Sequence, residues 1–484
     1  MKAVTYFSEK CTFSNFVFLM ILSIFLCTSF GCKKLVDVDA PDTSINEVNV
    51  FKADATAASV LTGIYTKLSQ SSFGYFGLSS ISFFSGLSGD ELTLYKGINN
   101  VSDIAYYHNA LTNANTFTSD FWLNIYPIIF VANSAIDGVS NSPSLTPSIK
   151  QQLLGEAKFI RAFCYFYLVN LYGDVPMVTT TDFKENSSLS RSNKNLVWSQ
   201  IIADLNDAKS LLSEKYLDAD MLSVSTERVR PTKWAATALI ARAYLYTQKW
   251  DSAVAASTEI INNSSLFYLN TVSEVFLKNS TEAIWQLQPV IFGQNTPDAW
   301  LYIIPLSGPS NTHPVFLSDN LINSFEANDR RRANWIDSVL VGGEIYHFAY
   351  KYKSAVLNAS IAEYEMVFRL AEQYLIRAEA RSNQGDLFGG ASDLNMIRNR
   401  AGLVSESFGT QGDLLSAIQQ ERRSELFTEW GHRWLDLKRT SLVDSVMNVV
   451  SFVKGTKWSS NWQLYPISLS ELQKDSKLVQ NEGY

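Results

Sequence analysis

The stretch PTKWAATALIARAYLYTQKWDSAVAASTEII, residues 231–261, constrains the fold more than any other. Pro231 suits the first turn of a helix, where its missing N–H costs nothing. Ala235, Ala236, Ala238, Ala241 and Ala243 then offer small residues for close helix contact. A polar break, TQKWD, separates a second helix bearing Ala253, Ala256 and Ile260. The pattern predicts two antiparallel helices packed along small side chains. A cognate pair follows in FRLAEQYLIRAEARSNQGD and ASDLNMIRNRAGL; its break carries LFGG, so its second helix is expected to start later.

Such units look like tetratricopeptide repeats. They stack, because one pair alone cannot bury its apolar face. Earlier segments read as further helices. ATAASVLTGIYTKLSQ places Ala57, Val60, Leu61, Ile64 and Leu68 on one stripe. DFWLNIYPIIFVANSAIDGV is a second, with Pro127 expected to kink it. QQLLGEAKFIRAFCYFYLVNLYG is a third, closed by Gly173, and LVWSQIIADLNDAKSLL is a fourth. EAIWQLQPV reads as a short strand with Trp285 in the core. Two segments lack periodicity: residues 88–118, dense in Tyr and Asn, and residues 292–314, rich in Gly, Pro and Asn. Long irregular segments in a packed domain tend to carry function. The expected fold class is therefore mostly α, with a loop-rich face and a few short strands.

The N-terminus carries an apolar run, FVFLMILSIFL, preceded by Lys2 and Lys10. It has the length of a signal-peptide core and is shorter than the ~20 residues a spanning helix needs. The run gives way to FLCTSFGCKK, whose Gly31-Cys32 step resembles a bacterial lipobox, although Ser29 and Phe30 depart from its usual residues. An uncleaved anchor and a plain secretory signal are the other readings. Cleavage before Cys32 would remove Cys11 and Cys27 and leave Cys164 as the only thiol besides the lipidated one. Cys164 sits in RAFCYFYLV, an apolar helix pattern that predicts a buried, inert thiol.

Composition excludes some functions. A formal net charge of −7 leaves no footprint for nucleic acid. No phosphate-binding loop, metalloprotease helix, CxxC or nucleophile elbow is present. His108, His313, His347 and His432 are spread without metal-ligand spacing, so neither a metal nor a cofactor is expected. Asp90 and Glu91 are adjacent carboxylates, and adjacent residues seldom straddle one bond as a glycosidase requires. They read as loop, cap or ligand-bonding residues ahead of catalysts. In ERRSELFTEWGHRWLDLKR, Glu421, Glu425 and Glu429 share a helix face, with Arg422, Arg423 and Arg433 nearby. An acid/base site is one reading; a structural ion-pair network between helices is the favoured one.

Several blocks together carry a family resemblance. RAFCYFYLVNLYGDVPMV resembles the R-A-x-x-Y-F-x-L-V-x-x-Y-G-D-V-P signature of the SusD/RagB family. LINSFEANDRR, EQYLIRAEARSNQGD, LNMIRNRAGL and IQQERRSELFTEWGHRWLDLKR resemble later blocks in the same order. The C-terminus LYPISLSELQKDSKLVQNEGY is similar to the family ending at Pro466, Ile467, Glu471, Leu478, Gln480, Asn481, Gly483 and Tyr484. It departs at Ser468, Asp475, Ser476 and Glu482, which puts the stiffness of the tail in question.

The resemblance implies a lipoprotein on the outer face of the outer membrane of Bacteroidetes, with residues 1–31 as signal peptide and Cys32 as the lipidated residue. It implies a single SusD-like domain over 32–484, with an N-terminal part over 32–220 and a RagB/SusD part over 221–484. The fold implied has four tetratricopeptide-like units and an irregular binding face. The function implied is non-catalytic: capping a SusC-like TonB-dependent transporter and delivering nutrient, usually oligosaccharide and sometimes peptide. By family position the ligand face follows GDEL and IWQLQ. Those segments offer Tyr95, Tyr106, Tyr107 and His108, and Trp300 and Tyr302; no residue carries over by motif. The alternatives are a surface glycan hydrolase using Asp90 or Glu91, and a periplasmic tetratricopeptide scaffold for protein partners.

Overall fold

The computed structural model describes residues 47–70, 81–114 and 121–484. The expected signal peptide, residues 1–31, and the expected lipidation site Cys32 lie outside the described residues. Of the unit formed by Met1–Val50, only the helical turn Glu47–Val50 is described. Everything below concerns the second unit, Phe51–Tyr484.

Helix α1 (Asp54–Ser69) and the short α2 (Ile81–Ser88) lead to α4 (Phe121–Asn141), α5 (Pro147–Tyr172) and α6 (Lys194–Leu211). Pro127 lies inside α4. Helix α5 runs through the core of this unit. Its C-terminal half, Phe159–Val169, is buried on every face, as a helix that is apolar all round must be. Phe163 meets Trp285, Phe368 and Trp430 at ring-centroid distances of 5.5, 6.0 and 5.6 Å. Cys164 is fully buried and unpaired, and burial pushes its thiol far above the usual range. Gly173 closes α5 with φ +74°, where a Cβ would be strained.

The pair read first from the sequence is α7 (Lys233–Tyr246) and α8 (Trp250–Ile261). The cognate pair is α10 (Leu370–Asn383) and α11 (Leu387–Arg400). Helix α11 begins at Leu387, earlier than expected, so LFGG is its first turn and not part of the break. Asp386 caps it by accepting from Gly389 N–H at 2.8 Å. Gly390 explains why glycine is used there: a Cβ would sit 3.0 Å from the Ala378 carbonyl oxygen of α10. Helices α12 (Gln411–Leu426), α13 (His432–Arg439) and α14 (Val443–Val453) complete the bundle.

Buried bidentate pairs clasp helices together. Arg161 of α5 holds Asp204 of α6 at 2.8 and 2.6 Å. Arg242 of α7 holds Glu372 of α10 at 2.6 and 2.7 Å. Arg377 of α10 holds Asp393 of α11 at 2.9 and 2.7 Å. Each arginine precedes an alanine (Arg161-Ala162, Arg242-Ala243, Arg377-Ala378), and both aspartates open an Asp-Leu-Asn triplet. The recurrence marks a shared register: a small residue brings the helices close, and the arginine beside it fixes their offset through a fork that matches a carboxylate.

Three two-stranded antiparallel sheets interrupt the helices. Strand β1 (Leu92–Leu94) pairs with β3 (Val315–Leu317), with Leu92 opposite Leu317. Strand β2 (Ala283–Leu287) pairs with β6 (Glu365–Arg369), both wholly buried. Strands β4 (Ile336–Val341) and β5 (Glu344–Ala349) form a hairpin closed by Gly342 and Gly343, both at positive φ as a tight hairpin turn demands.

The two segments expected to be irregular contain short helices. Helix α3 (Val101–Tyr107) starts at Asn100, whose side chain accepts from Ser102 and Asp103 N–H. Helix α9 (Pro297–Tyr302) starts at Thr296, which accepts from Ala299 N–H, with Pro297 in its first turn. Caps rather than periodicity decide such short elements.

The tail is strapped down despite its missing prolines. Tyr465 N–H donates to Leu171 O at 2.8 Å. Asn481 Nδ2 donates to Tyr172 O and Tyr465 O, and Arg191 donates to Asn481 Oδ1 and Val479 O.

Candidate functional site

The segments after GDEL and after IWQLQ meet through the β1–β3 ribbon. Tyr95 leaves β1 with its N–H on Pro314 O at 2.8 Å. Its ring packs edge-on against Tyr346 at 6.0 Å and touches a small core of Ile304, Val339, Tyr346 and Phe348. Helix α9 runs directly into that core through Ile303 and Ile304. It is anchored from behind by Asn295, whose Oδ1 accepts from Ala362 and Glu363 N–H and whose Nδ2 donates to Ser360 O. Trp300 is half-buried on this helix, so it is held on a capped turn rather than on an open loop.

Tyr107 and His108 lie at the end of α3, half-buried, with ring centroids 5.3 Å apart. The Lys454 ammonium sits 4.8 Å from the Tyr107 ring centre and donates to the carbonyls of Leu87 and Gly89. Burial lowers Lys454 to about 7. Burial, then the Lys454 charge, lowers His108 below its ordinary value.

Two of the six aromatics expected at the ligand face are turned inward. Tyr106 is 1% exposed and packs against Phe84 and Tyr465, at 4.5 and 5.2 Å. Tyr302 is 3% exposed, and burial, then the charges of Asp298, Glu91 and Glu365, push its hydroxyl far up. Neither offers a face to a ligand in this structure; Tyr106 packs into the aromatic core, and the Tyr302 hydroxyl is buried near Asp298, Glu91 and Glu365. Tyr95, Tyr107, His108 and Trp300 are the ones that reach the surface.

Asp90 and Glu91 are both 2% exposed. Arg433 grips Asp90 through Nε and Nη2 at 2.8 and 2.9 Å, and Arg423 adds a contact at 3.0 Å. Burial alone would raise the Asp90 carboxyl, but Arg433, then Arg423 and Lys454, hold it below its ordinary value. Asp90 O and Glu91 O also accept from Ser318 Oγ and N–H, which pins the end of β3. Glu91 has little compensation: burial, then repulsion by Asp90, pushes it up to about 8. Both carboxyls are buried, Asp90 in the grip of two arginines and Glu91 with a single long bond from Thr428 N–H.

The glutamates of α12 and the turn after it form the ion-pair network favoured from the sequence. Glu421 and Glu425 bind Arg331, Glu425 also binds Arg369 and Arg400, and Glu429 binds Arg369 and Lys351. Glu282 of the segment before β2 joins through Arg369 at 2.9 Å. The arginines next to these glutamates in sequence turn elsewhere: Arg422 to Asp436, and Arg423 and Arg433 to Asp90. The distant partners Arg331, Lys351, Arg369 and Arg400 escaped sequence reasoning, since no local spacing points to them.

The mostly helical fold thus carries half-buried aromatics beside a short ribbon, with its adjacent carboxylates buried. Residues 41–245 match the family described as starch-binding and associating with the outer membrane, and residues 320–484 match the SusD family. The chain belongs to the SusD/RagB family. SusD-like protein P25 of Formosa agariphila is 25% identical, with 97% of this chain and 99% of that one covered. The fold matches a SusD superfamily protein from Bacteroides vulgatus at TM-score 0.76 and 21% identity, covering 89% of this chain and 99% of that one. It matches a laminarin-binding SusD-like protein at TM-score 0.74 and 24% identity, covering 90% and 100%.

Proposed function

We propose that this chain is a non-catalytic glycan-binding protein that caps a SusC-like TonB-dependent transporter and presents oligosaccharide to it. A lipid on Cys32 holds it on the outer face of the outer membrane. The observation that carries the reading is the set of half-buried aromatics, Tyr95, Tyr107, His108 and Trp300, on or beside the β1–β3 ribbon. Flat ring faces stack on the C–H faces of pyranose rings, and a platform fixed by caps and core contacts loses little entropy on binding. The family is described as starch-binding, and a solved relative is named laminarin-binding. Glucans are therefore the first ligands to try.

Titration calorimetry with laminarin and starch oligosaccharides, on the wild type and on Trp300→Ala, tests the site. Loss of a stacking platform should remove about 1–3 kcal/mol of binding, roughly tenfold to over a hundredfold in affinity. The melting temperature should change little, because Trp300 is only half-buried. A large fall in melting temperature with unchanged affinity would assign Trp300 to the core instead.

The anchor has its own test. Cys32→Ser should abolish fatty-acid labelling and release the protein from the outer membrane; labelling that persists would refute the anchor. Protease treatment of whole cells separates the surface protein, which is cut, from a periplasmic scaffold, which stays intact.

A further inference from the structure

A cleft of about 680 Å3 opens between the α7–α8 turn, α10, α12 and the end of α13. It shares no lining residue with the aromatic ribbon. Its volume falls in the range of roughly 300–1,000 Å3 typical of small-ligand sites. We propose that this cleft is a second binding site, and that its ligand is a neutral oligosaccharide.

The chemistry of the wall selects the ligand. Asn383, Gln419 and Gln420 line it. Asn383 donates through Nδ2 to Glu379 O at 2.9 Å, and Gln419 through Nε2 to Glu379 Oε2 at 3.1 Å. Gln420 donates to Ser324 O at 2.8 Å. In all three the amide oxygen has no donor among the described residues, which leaves a row of acceptors. On the donor side, Arg423 Nε is buried and finds no acceptor among the described residues. A buried unsatisfied donor is costly unless something supplies the missing bond, and the amide oxygens beside it, on half-buried residues, are open to a donor from the cleft. Hydroxyl groups donate and accept at once and fit both.

Charge argues against an ionic ligand. Arg423 and Arg433 are committed to Asp90, and Arg439 to Glu379 and Asp436. The guanidinium groups at the wall are thus neutralised by carboxylates beside or behind them. Trp250, half-buried at the start of α8, supplies an indole in the same wall. The walls are helix sides and helix ends, with no strand edge for an extended peptide to pair with. Amides, one orphan donor, balanced charge and a single indole match the alternating C–H faces and hydroxyl rims of a sugar. This inference stands on the cleft alone and does not require the ribbon to bind glycan.

The test labels the full chain with 5-fluorotryptophan and assigns the Trp250 and Trp300 resonances through Trp250→Phe and Trp300→Phe. Neutral oligosaccharides of glucose, galactose, mannose and xylose, a hexuronate oligosaccharide and a neutral peptide are titrated in turn. At least one neutral sugar should move the Trp250 signal saturably. Gln419→Ala should weaken that response about fivefold, the cost of one net hydrogen bond, and leave Trp300 unaffected. The proposal falls if no neutral sugar moves Trp250, or if only the hexuronate or the peptide does. Movement of Trp300 alone would support the ribbon and overturn the cleft; movement of Trp250 alone would do the reverse.

Discussion

Arg369→Ala should be the most damaging single substitution in this protein, lowering stability by about 3–5 kcal/mol. Arg369 is 1% exposed and donates to Glu282, Glu425 and Glu429 as well as to Glu425 O. Removing it leaves several carboxylates in a dry interior with fewer cations, and the desolvation already incurred is no longer offset. It also unties strand β6 from the turn after α12, because Arg369 ends the one and binds the other. Arg369→Lys keeps the charge but not the planar fork, so it should fall between alanine and wild type. Denaturant midpoints of the three proteins check the order. An alanine variant that unfolds with the wild type would show that the network contributes nothing net.

Glu91→Gln should show a difference from wild type that depends on pH. The folded protein raises the Glu91 carboxyl from 4.5 to about 8. Between those values the unfolded chain has released a proton that the folded chain still holds. The stability Glu91 contributes is therefore full below pH 4.5 and is lost as pH rises through about 8. Glutamine cannot ionise and escapes that loss. Near pH 5 the two proteins should differ little. By pH 9 the variant should have gained about 3–5 kcal/mol relative to wild type, before any relaxation around the charged form. Titrating groups that do not feel the Glu91 charge are common to both proteins and cancel in the comparison; Asp90, Arg423, Arg433 and Tyr302, which do feel it, do not. Unfolding free energies measured at both pH values give the answer, and a difference that stays constant would mean Glu91 is not held protonated.

The helix pairs were legible because their alanines recur at helical spacing and their breaks are polar. The short helices α3 and α9 were not, because helices of under two turns are decided by one cap residue and leave no period to read. Tyr106 and Tyr107 show the same limit at the site. Neighbours on a helix point about 100° apart, and only the position of Phe84 and Tyr465 decides which of the two rings turns inward. The spacing of Glu421, Glu425 and Glu429 predicted one helix face, but α12 ends at Leu426, so only the first two share it and Glu429 reaches the network from the turn. Their cations come from segments up to about a hundred residues away and leave no trace in the local pattern.

The C-terminal strap sets an order of events for the growing chain. Asn481 and Arg191 bridge nearly three hundred residues of sequence, and the carbonyls of Leu171 and Tyr172 accept bonds from residues 465 and 481. Until those last residues have left the ribosome, the end of α5 has no partner for these groups, and Trp430 is missing from the cluster around Phe163. A loop this long closes late. The partly made protein therefore stays loose along α5 until the C-terminal strap closes over it.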